Sequence, residues 1–270
     1  MMNKNLLMSY DEYSKTEHKT PYFYIFQSKE QLLYYFGSSH SNDPNHSQFS
    51  LLKEKWREFI DKTNGAKRAV IVEARELSKK EFTLEESIIS RGEVGAGAYL
   101  ASESGSFLVF GEPQDSDIVD YLLKNFSKEE ILLFFESIAI KFWHKNKINK
   151  SMQEFLSNHT NKYRKLLNWP DLIISVELID SIHRKLFDQG LSIDNEKIFS
   201  QITNPAIINS RINELSRSQS MYRNEYILSQ IEKYWRGGYN IFVIYGAGHA
   251  VMQEPVIYSL KDSKDGYNCS

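Results

Sequence analysis

Two histidines close the same four-residue pattern near opposite ends of this chain. Gly37-Ser38-Ser39-His40 follows the apolar run Tyr34-Tyr35-Phe36, and Gly246-Ala247-Gly248-His249 follows Phe242-Val243-Ile244-Tyr245; the histidines are 209 residues apart. A glycine just past a strand takes positive φ or admits a second backbone, so the residue three positions on can face the carboxyl edge of a sheet. Two such turns on neighbouring strands bring two imidazoles together. Imidazole is a common ligand of divalent metals and the side chain whose ordinary pKa lies nearest neutrality, so the pair suits metal binding or acid/base chemistry. One G-x-x-H alone reads as a hydrogen-bonded histidine at a strand end; the duplication points to a site.

Carboxylates stand in comparable settings. Glu73 ends the apolar run Val70-Ile71-Val72, which places it at the edge that carries His40 if the two strands are parallel neighbours; with both histidines it makes a two-histidine, one-carboxylate set. Its other reading is a surface glutamate opening a loop with Arg75 and Glu76. Glu112 follows Phe107-Leu108-Val109-Phe110 and precedes Pro113, so it is either a fourth group at the same edge or an acid favoured at a helix N-terminus. Glu93 lies in Gly92-Glu93-Val94-Gly95-Ala96-Gly97, read as a glycine-rich turn near a ligand or as a flexible loop. Arg223, in Arg223-Asn224-Glu225, lies in a helical stretch just before the second histidine strand, where its planar fork suits a carboxylate or a developing oxyanion. His46, Glu93 and Tyr245 are the candidates to line a substrate.

The elements that must position these groups alternate. Gln31 to Phe36 reads as a strand, Phe49 to Lys62 as an amphipathic helix through Phe49, Leu52, Trp56, Phe59 and Ile60, and Ala69-Val70-Ile71-Val72 as a buried strand. That is a βαβ signature. The strand at 107–110 runs into Gly111-Glu112-Pro113, with the proline placed for a helix's first position. From about Ser127 to Trp235 the pattern is helical: Ser127 and Glu130 form a capping box, and a second amphipathic stretch runs from Asp171 to about Phe187. The expected architecture is one α/β domain over residues 1–270, with a central mixed or parallel sheet built from about 20–120 and 236–262. A large helical insertion, about 123–235, separates the third strand from the last.

Composition narrows the function classes. With 33 basic and 35 acidic residues the formal net charge is −2, so no global basic field holds a nucleic acid. The one cysteine, Cys269, closes no internal bridge, and Met1-Met2-Asn3-Lys4-Asn5 leads into polar sequence without a signal-type apolar stretch, which favours the cytoplasm. The most apolar run, Ile131 to Trp143, is interrupted by Glu136 and Lys141 and falls short of the about 20 residues a membrane span needs. Neither nucleic acid nor membrane is expected as a partner. Gly95-Ala96-Gly97-Ala98-Tyr99-Leu100 fails as a dinucleotide fingerprint, because Arg91-Gly92-Glu93 stands where a buried strand should run and Leu100 holds the third glycine position. No G-x-S-x-G elbow or P-loop occurs.

Together these residues resemble the TIKI/TraB superfamily. Arg223-Asn224-Glu225-Tyr226-Ile227-Leu228, followed by Ile241-Phe242-Val243-Ile244-Tyr245-Gly246-Ala247-Gly248-His249, is similar to that group's carboxyl-terminal motif, a helix beginning Arg-Asn or Arg-Asp and then a strand with G-x-x-H. Gly37 to His40 and the strand ending in Glu73 resemble its amino-terminal half. The wider clan includes erythromycin esterases and the ChaN haem-binding proteins. The resemblance implies a sheet edge gathering His40, His249, Glu73 and Arg223, and a metal-dependent, hydrolase-like site of the TIKI kind. After His249 the family often has Leu-x-Gly, whereas this chain continues Ala250-Val251-Met252-Gln253-Glu254-Pro255.

The expected activity is hydrolysis of a peptide, ester or amide bond in a small-molecule or peptide substrate. His40, His249 and Glu73 hold a divalent ion (manganese, cobalt or zinc) or orient water directly, and Arg223 steadies the oxyanion. Without metal, one histidine serves as base with Glu73 fixing its tautomer. The competing readings are a small-ligand or haem-binding protein without turnover and a regulatory protein that uses the site as a sensor.

Overall fold

A computed structural model describes residues 2–77, 83–193 and 195–260; Cys269 and the polar tail lie outside the described residues. In chain order the elements are α1 (Tyr10–Tyr13), β1 (Tyr22–Gln27), β2 (Leu32–Ser38), α2 (Ser47–Lys62), β3 (Arg68–Val72), α3 (Leu84–Glu103) and β4 (Phe107–Phe110). The helices α4 (Asp115–Leu122), α5 (Lys128–Asn146), α6 (Met152–Ser157), α7 (Thr160–Leu166), α8 (Val176–Phe187), α9 (Glu196–Ile202) and α10 (Arg211–Arg236) follow, then β5 (Asn240–Gly246) and α11 (Ala247–Ile257). The chain is thus an α/β protein. It divides into two compact units, Met1–Pro113 with Arg223–Ser270, and Gln114–Tyr222, so the boundary falls inside α10.

The first unit is built on a five-stranded sheet in the order β1-β2-β5-β3-β4, parallel except for the β1–β2 pair. Its strands read as continuous apolar runs because both faces are covered. Leu33, Tyr35, Ala69, Ile71, Ile241, Val243 and Tyr245 pack on one face with Ile227, Ile231 and Trp235 of α10; Tyr34, Phe36, Val70, Val72, Phe242 and Ile244 pack on the other with Phe49, Leu52, Trp56 and Phe59 of α2. Each fully buried side chain of this size contributes roughly 1.5–3 kcal/mol through removal from water, which makes the three inner strands a rigid base. The last strand of the sequence, β5, lies between β2 and β3. Hence β2 and β3 are parallel but not neighbours, and Glu73 shares the edge of His40 across β5.

The second unit is helical and packs around Ile131, Leu132, Leu133, Phe134, Phe199, Ile212 and Leu215. The Ser127–Glu130 capping box opens α5, as the sequence indicates. Among the described residues no helix is long and apolar enough to cross a membrane.

Several local expectations are corrected. The stretch expected to start at Asp171 becomes helical only at Val176, where the Ser175 side chain accepts from Leu178 N and supplies the cap. Pro113 precedes the N-cap of α4, which is Gln114, and does not occupy the helix's first position. The segment around Glu93 is neither turn nor loop. It belongs to α3, which is kinked at Arg91 and Gly92. Arg223 does not begin its helix but sits in the middle of the 26-residue α10.

Candidate functional site

Parallel strands point their carboxyl ends one way, and here each ends in a chemistry-bearing residue. Along the edge, His40 follows β2, His249 follows β5, Glu73 follows β3 and Glu112 follows β4. The two G-x-x-H glycines serve close approach. A Cβ on Gly37 would lie 2.9 Å from Ala247 Cα, so its absence lets α11 pack on β2. A Cβ on Gly246, the N-cap of α11, would lie 2.8 Å from His40 Nε2 and 3.3 Å from Glu73 Oε2, which shows how closely those two groups converge on the start of the helix.

His40 is held in an unusual backbone state. Its φ of 52° lies in the left-handed region, which costs a residue with a Cβ on the order of 1 kcal/mol or more. The compensating contact is with α3: Nδ1 lies 2.5 Å from Glu93 Oε1. The α3 kink makes this reach feasible, because Gly92 (φ 58°) lets the Ser41 carbonyl approach where a Cβ would stand 2.8 Å from it. Glu93 is 6% exposed and His40 60% exposed, so a buried carboxylate orients a ring that solvent and ligands can reach. The Glu93 hydrogen bond raises the His40 pKa above 6.5 against the opposing effect of burial, with the Glu73 charge adding to it.

Arg223 forms the second knot. Its Nε donates to Glu112 Oε2 (2.7 Å), and Nη2 donates to Glu112 Oε1 (2.7 Å) and Glu73 Oε1 (2.6 Å). The other Glu73 oxygen accepts from Gly246 N at 2.7 Å. Burial opposes ionisation of Glu73, but the charges of Arg223, His249 and His40 and the Gly246 N–H outweigh it, and its pKa falls below 4.5. For Glu112 burial prevails and raises the pKa despite Arg223, and the buried Tyr245 hydroxyl donates to it. Nη1 of Arg223 takes no part in these bonds.

His249 is partly exposed in the first turn of α11, with the Tyr245 ring edge-on at 5.1 Å. Its Nδ1 lies 2.8 Å from Asn224 Oδ1. Burial and the Arg223 charge push its pKa down to about 4. The two imidazoles therefore titrate on opposite sides of their common ordinary value. His46 caps α2, accepting from Gln48 N at 3.3 Å through Nδ1.

The structure gathers His40, Glu73, Glu93, Glu112, Arg223, Tyr245 and His249 in one unit. The donor set does not fit a resident divalent ion. Both Glu73 oxygens are engaged by Arg223 and Gly246, the guanidinium lies among the acids, and no three His, Cys, Asp or Glu side chains among the described residues are arranged to hold a metal. The partner of His40 Nδ1 is Glu93, where sequence reasoning assigned tautomer control to Glu73. Gln253 and Tyr35 also take part, as does Asn224, which the sequence marks only as the second residue of the Arg-Asn motif and to which it assigns no role. The signal for Gln253 was its position four residues after His249, one helical turn away on the same face.

No protein-family model, no curated protein and no solved structure matches this chain.

Proposed function

We propose that the chain is a hydrolase of the TIKI/TraB type that cleaves a peptide, ester or amide bond with imidazole as the base. The observation that carries this reading is the His40–Glu93 pair: an accessible imidazole whose far nitrogen is fixed by a buried carboxylate, with a pKa raised from its ordinary value. A general base works best with a pKa near the operating pH, and a carboxylate on Nδ1 both sets the tautomer and stabilises the imidazolium that forms.

In this reading His40 Nε2 takes a proton from water as the oxygen attacks the carbonyl carbon. The imidazolium then returns that proton to the leaving oxygen or nitrogen as the acyl bond breaks, giving a carboxylic acid and an alcohol or amine. His249 Nε2 accepts a hydrogen bond from the attacking water; with a pKa of about 4 it stays neutral at pH 7 and leaves proton transfer to His40. The oxyanion has two sources of stabilisation. One is the N-terminus of α11, whose N-cap Gly246 brings no capping side chain and gives its N–H to Glu73, and whose first turn starts beside His40 Nε2; the other is Arg223 Nη1.

The test is a panel of ester, amide and peptide substrates with wild type and His40→Gln. The reading expects turnover on at least one substrate class and a loss of about 10²–10⁴-fold in kcat for the variant, the range for removing a general base. Full activity in His40→Gln on a substrate that wild type cleaves would remove His40 from the base role.

A further inference from the structure

We infer that a buried relay, Tyr35–Gln253–Asn224, positions His249 with its proton on Nδ1, so that Nε2 is presented at the sheet edge as an acceptor only. The proposal rests on the hydrolase reading for what that acceptor does, but the relay itself is read from hydrogen-bond chemistry.

A phenol at the far end and an imidazole at the near end are joined through two amides. Tyr35 OH donates to Gln253 Oε1 at 2.8 Å; Gln253 Nε2 donates to Asn224 Oδ1 at 2.7 Å; and the same oxygen faces His249 Nδ1 at 2.8 Å. Tyr35, Gln253 and Asn224 are all fully buried, so none can exchange these partners for bulk water. An amide offers its donors at one end and its acceptor at the other, and this directs the chain. With Gln253 accepting from the phenol, its NH₂ must point at Asn224. Asn224 must then present oxygen, and an oxygen can only accept, so His249 Nδ1 must carry the proton. The other end of the Asn224 amide agrees, since its Nδ2 lies 3.9 Å from Met252 Sδ; turning the group over would set carbonyl oxygen against sulfur and, unless Gln253 turned as well, NH₂ against NH₂. Reversing any one member reverses all of them, because a buried unpaired donor or acceptor costs roughly 1–3 kcal/mol.

Gln253 stands in the Ala250–Pro255 stretch where the resembled family departs, and it shares a face of α11 with His249. Tyr35 projects from β2 to the same face of the sheet as Tyr245, whose ring flanks His249.

The experiment is nitrogen-15 NMR of the His249 ring at pH 7, which distinguishes a protonated from an unprotonated ring nitrogen without any substrate. Wild type should show Nδ1 protonated and Nε2 bare. Tyr35→Phe frees Gln253 to turn, and Gln253→Glu removes the donor to Asn224; each should convert that signature to a mixture or to Nε2 protonation. Asn224→Asp keeps an acceptor at Nδ1 and should leave Nδ1 protonated, while its charge raises the His249 pKa as Glu93 raises that of His40. Where wild type turns over a substrate, kcat of Tyr35→Phe should fall at least about tenfold, toward the larger losses that a wrong tautomer produces. Nε2 protonation in wild type, or an unchanged signature in a folded Tyr35→Phe protein, would overturn the relay. Tyr35→Phe loses one oxygen from a packed core and keeps this test open should Gln253→Glu not fold. A wild type without turnover but with the expected signature would instead count against the hydrolase reading and leave the relay standing.

Discussion

Acidification should weaken the fold through His249 in a defined window. Its folded pKa, about 4, lies below the ordinary value of 6.5, so the unfolded chain takes up a proton that the native site refuses. Stability is fully present above about pH 6.5, falls as pH drops from 6.5 toward 4, and stops falling once the native ring also protonates. A separation of about 2.5 pH units at about 1.36 kcal/mol per unit gives about 3 kcal/mol, a ceiling because the ring is partly exposed. His40 does not offset this. Its folded pKa is raised, so its contribution is complete below 6.5 and is lost only as pH climbs through the folded value. The Glu73 contribution declines only below 4.5. Equilibrium urea unfolding of wild type and His249→Gln at pH 7 and pH 4.5 isolates the group, since the titration coupled to it most directly, that of Glu73, falls below this interval. Wild type should lose up to about 2 kcal/mol more than the variant over that interval, which stops short of the full separation. Equal losses would mean that the ring titrates normally, and the burial and Arg223 argument would fail.

Three further substitutions probe the other contacts. Gly246→Ala needs no forbidden backbone angle (φ −58°) but sets a methyl 2.8 Å from His40 Nε2, so melting should change little while kcat falls about 10²-fold, the penalty of a near-ångström misplacement; an unchanged kcat would mean His40 does not work from that position. Arg223→Ala leaves Glu73 and Glu112 facing each other without their cation and should cost about 3–5 kcal/mol by urea unfolding, with Arg223→Lys recovering part of it; a cost below about 1 kcal/mol would deny the pairing its structural role. Glu93→Gln should lower the His40 pKa, measured by NMR titration, and with it the pH midpoint of kcat/KM; an unmoved His40 pKa would contradict the 2.5 Å contact as its cause.

The edge of the sheet was legible because buried parallel strands announce themselves as apolar runs, and the residue after such a run falls at the carboxyl end. That logic located His40, Glu73 and Glu112 and gave the β2, β3 and β4 cores to within one or two residues. Tyr22-Phe23-Tyr24-Ile25-Phe26 is likewise a continuous run of strand-favouring residues and forms β1, but its antiparallel pairing with β2 depends on a partner the local pattern does not encode. The position of β5 between β2 and β3 is likewise a long-range choice; the sequence places Glu73 at the His40 edge on the condition that their strands are neighbours, and the two share that edge across β5 instead. The glycines at 92, 95 and 97 suggest a turn around Glu93, whereas Gly95 makes room for Ser87 O of the same helix across its kink and Gly97 lets α3 pack on Val72 and Ile244. The pairing of Glu93 with His40 follows from the kink at Gly92. The roles of Asn224, visible only as part of the Arg-Asn motif, and of Gln253 do not show in sequence, because a buried amide owes its role to partners in three dimensions and 29 residues separate these two.

The most direct test of the central claim is turnover by protein treated with chelator, dialysed and shown by mass spectrometry to be free of divalent metal, alongside His40→Gln handled in the same way. Imidazole-based hydrolysis predicts that the metal-free wild type cleaves an ester, amide or peptide substrate at its untreated rate and that His40→Gln loses about 10²–10⁴-fold. Activity that disappears on chelation and returns with added manganese, cobalt or zinc would contradict it.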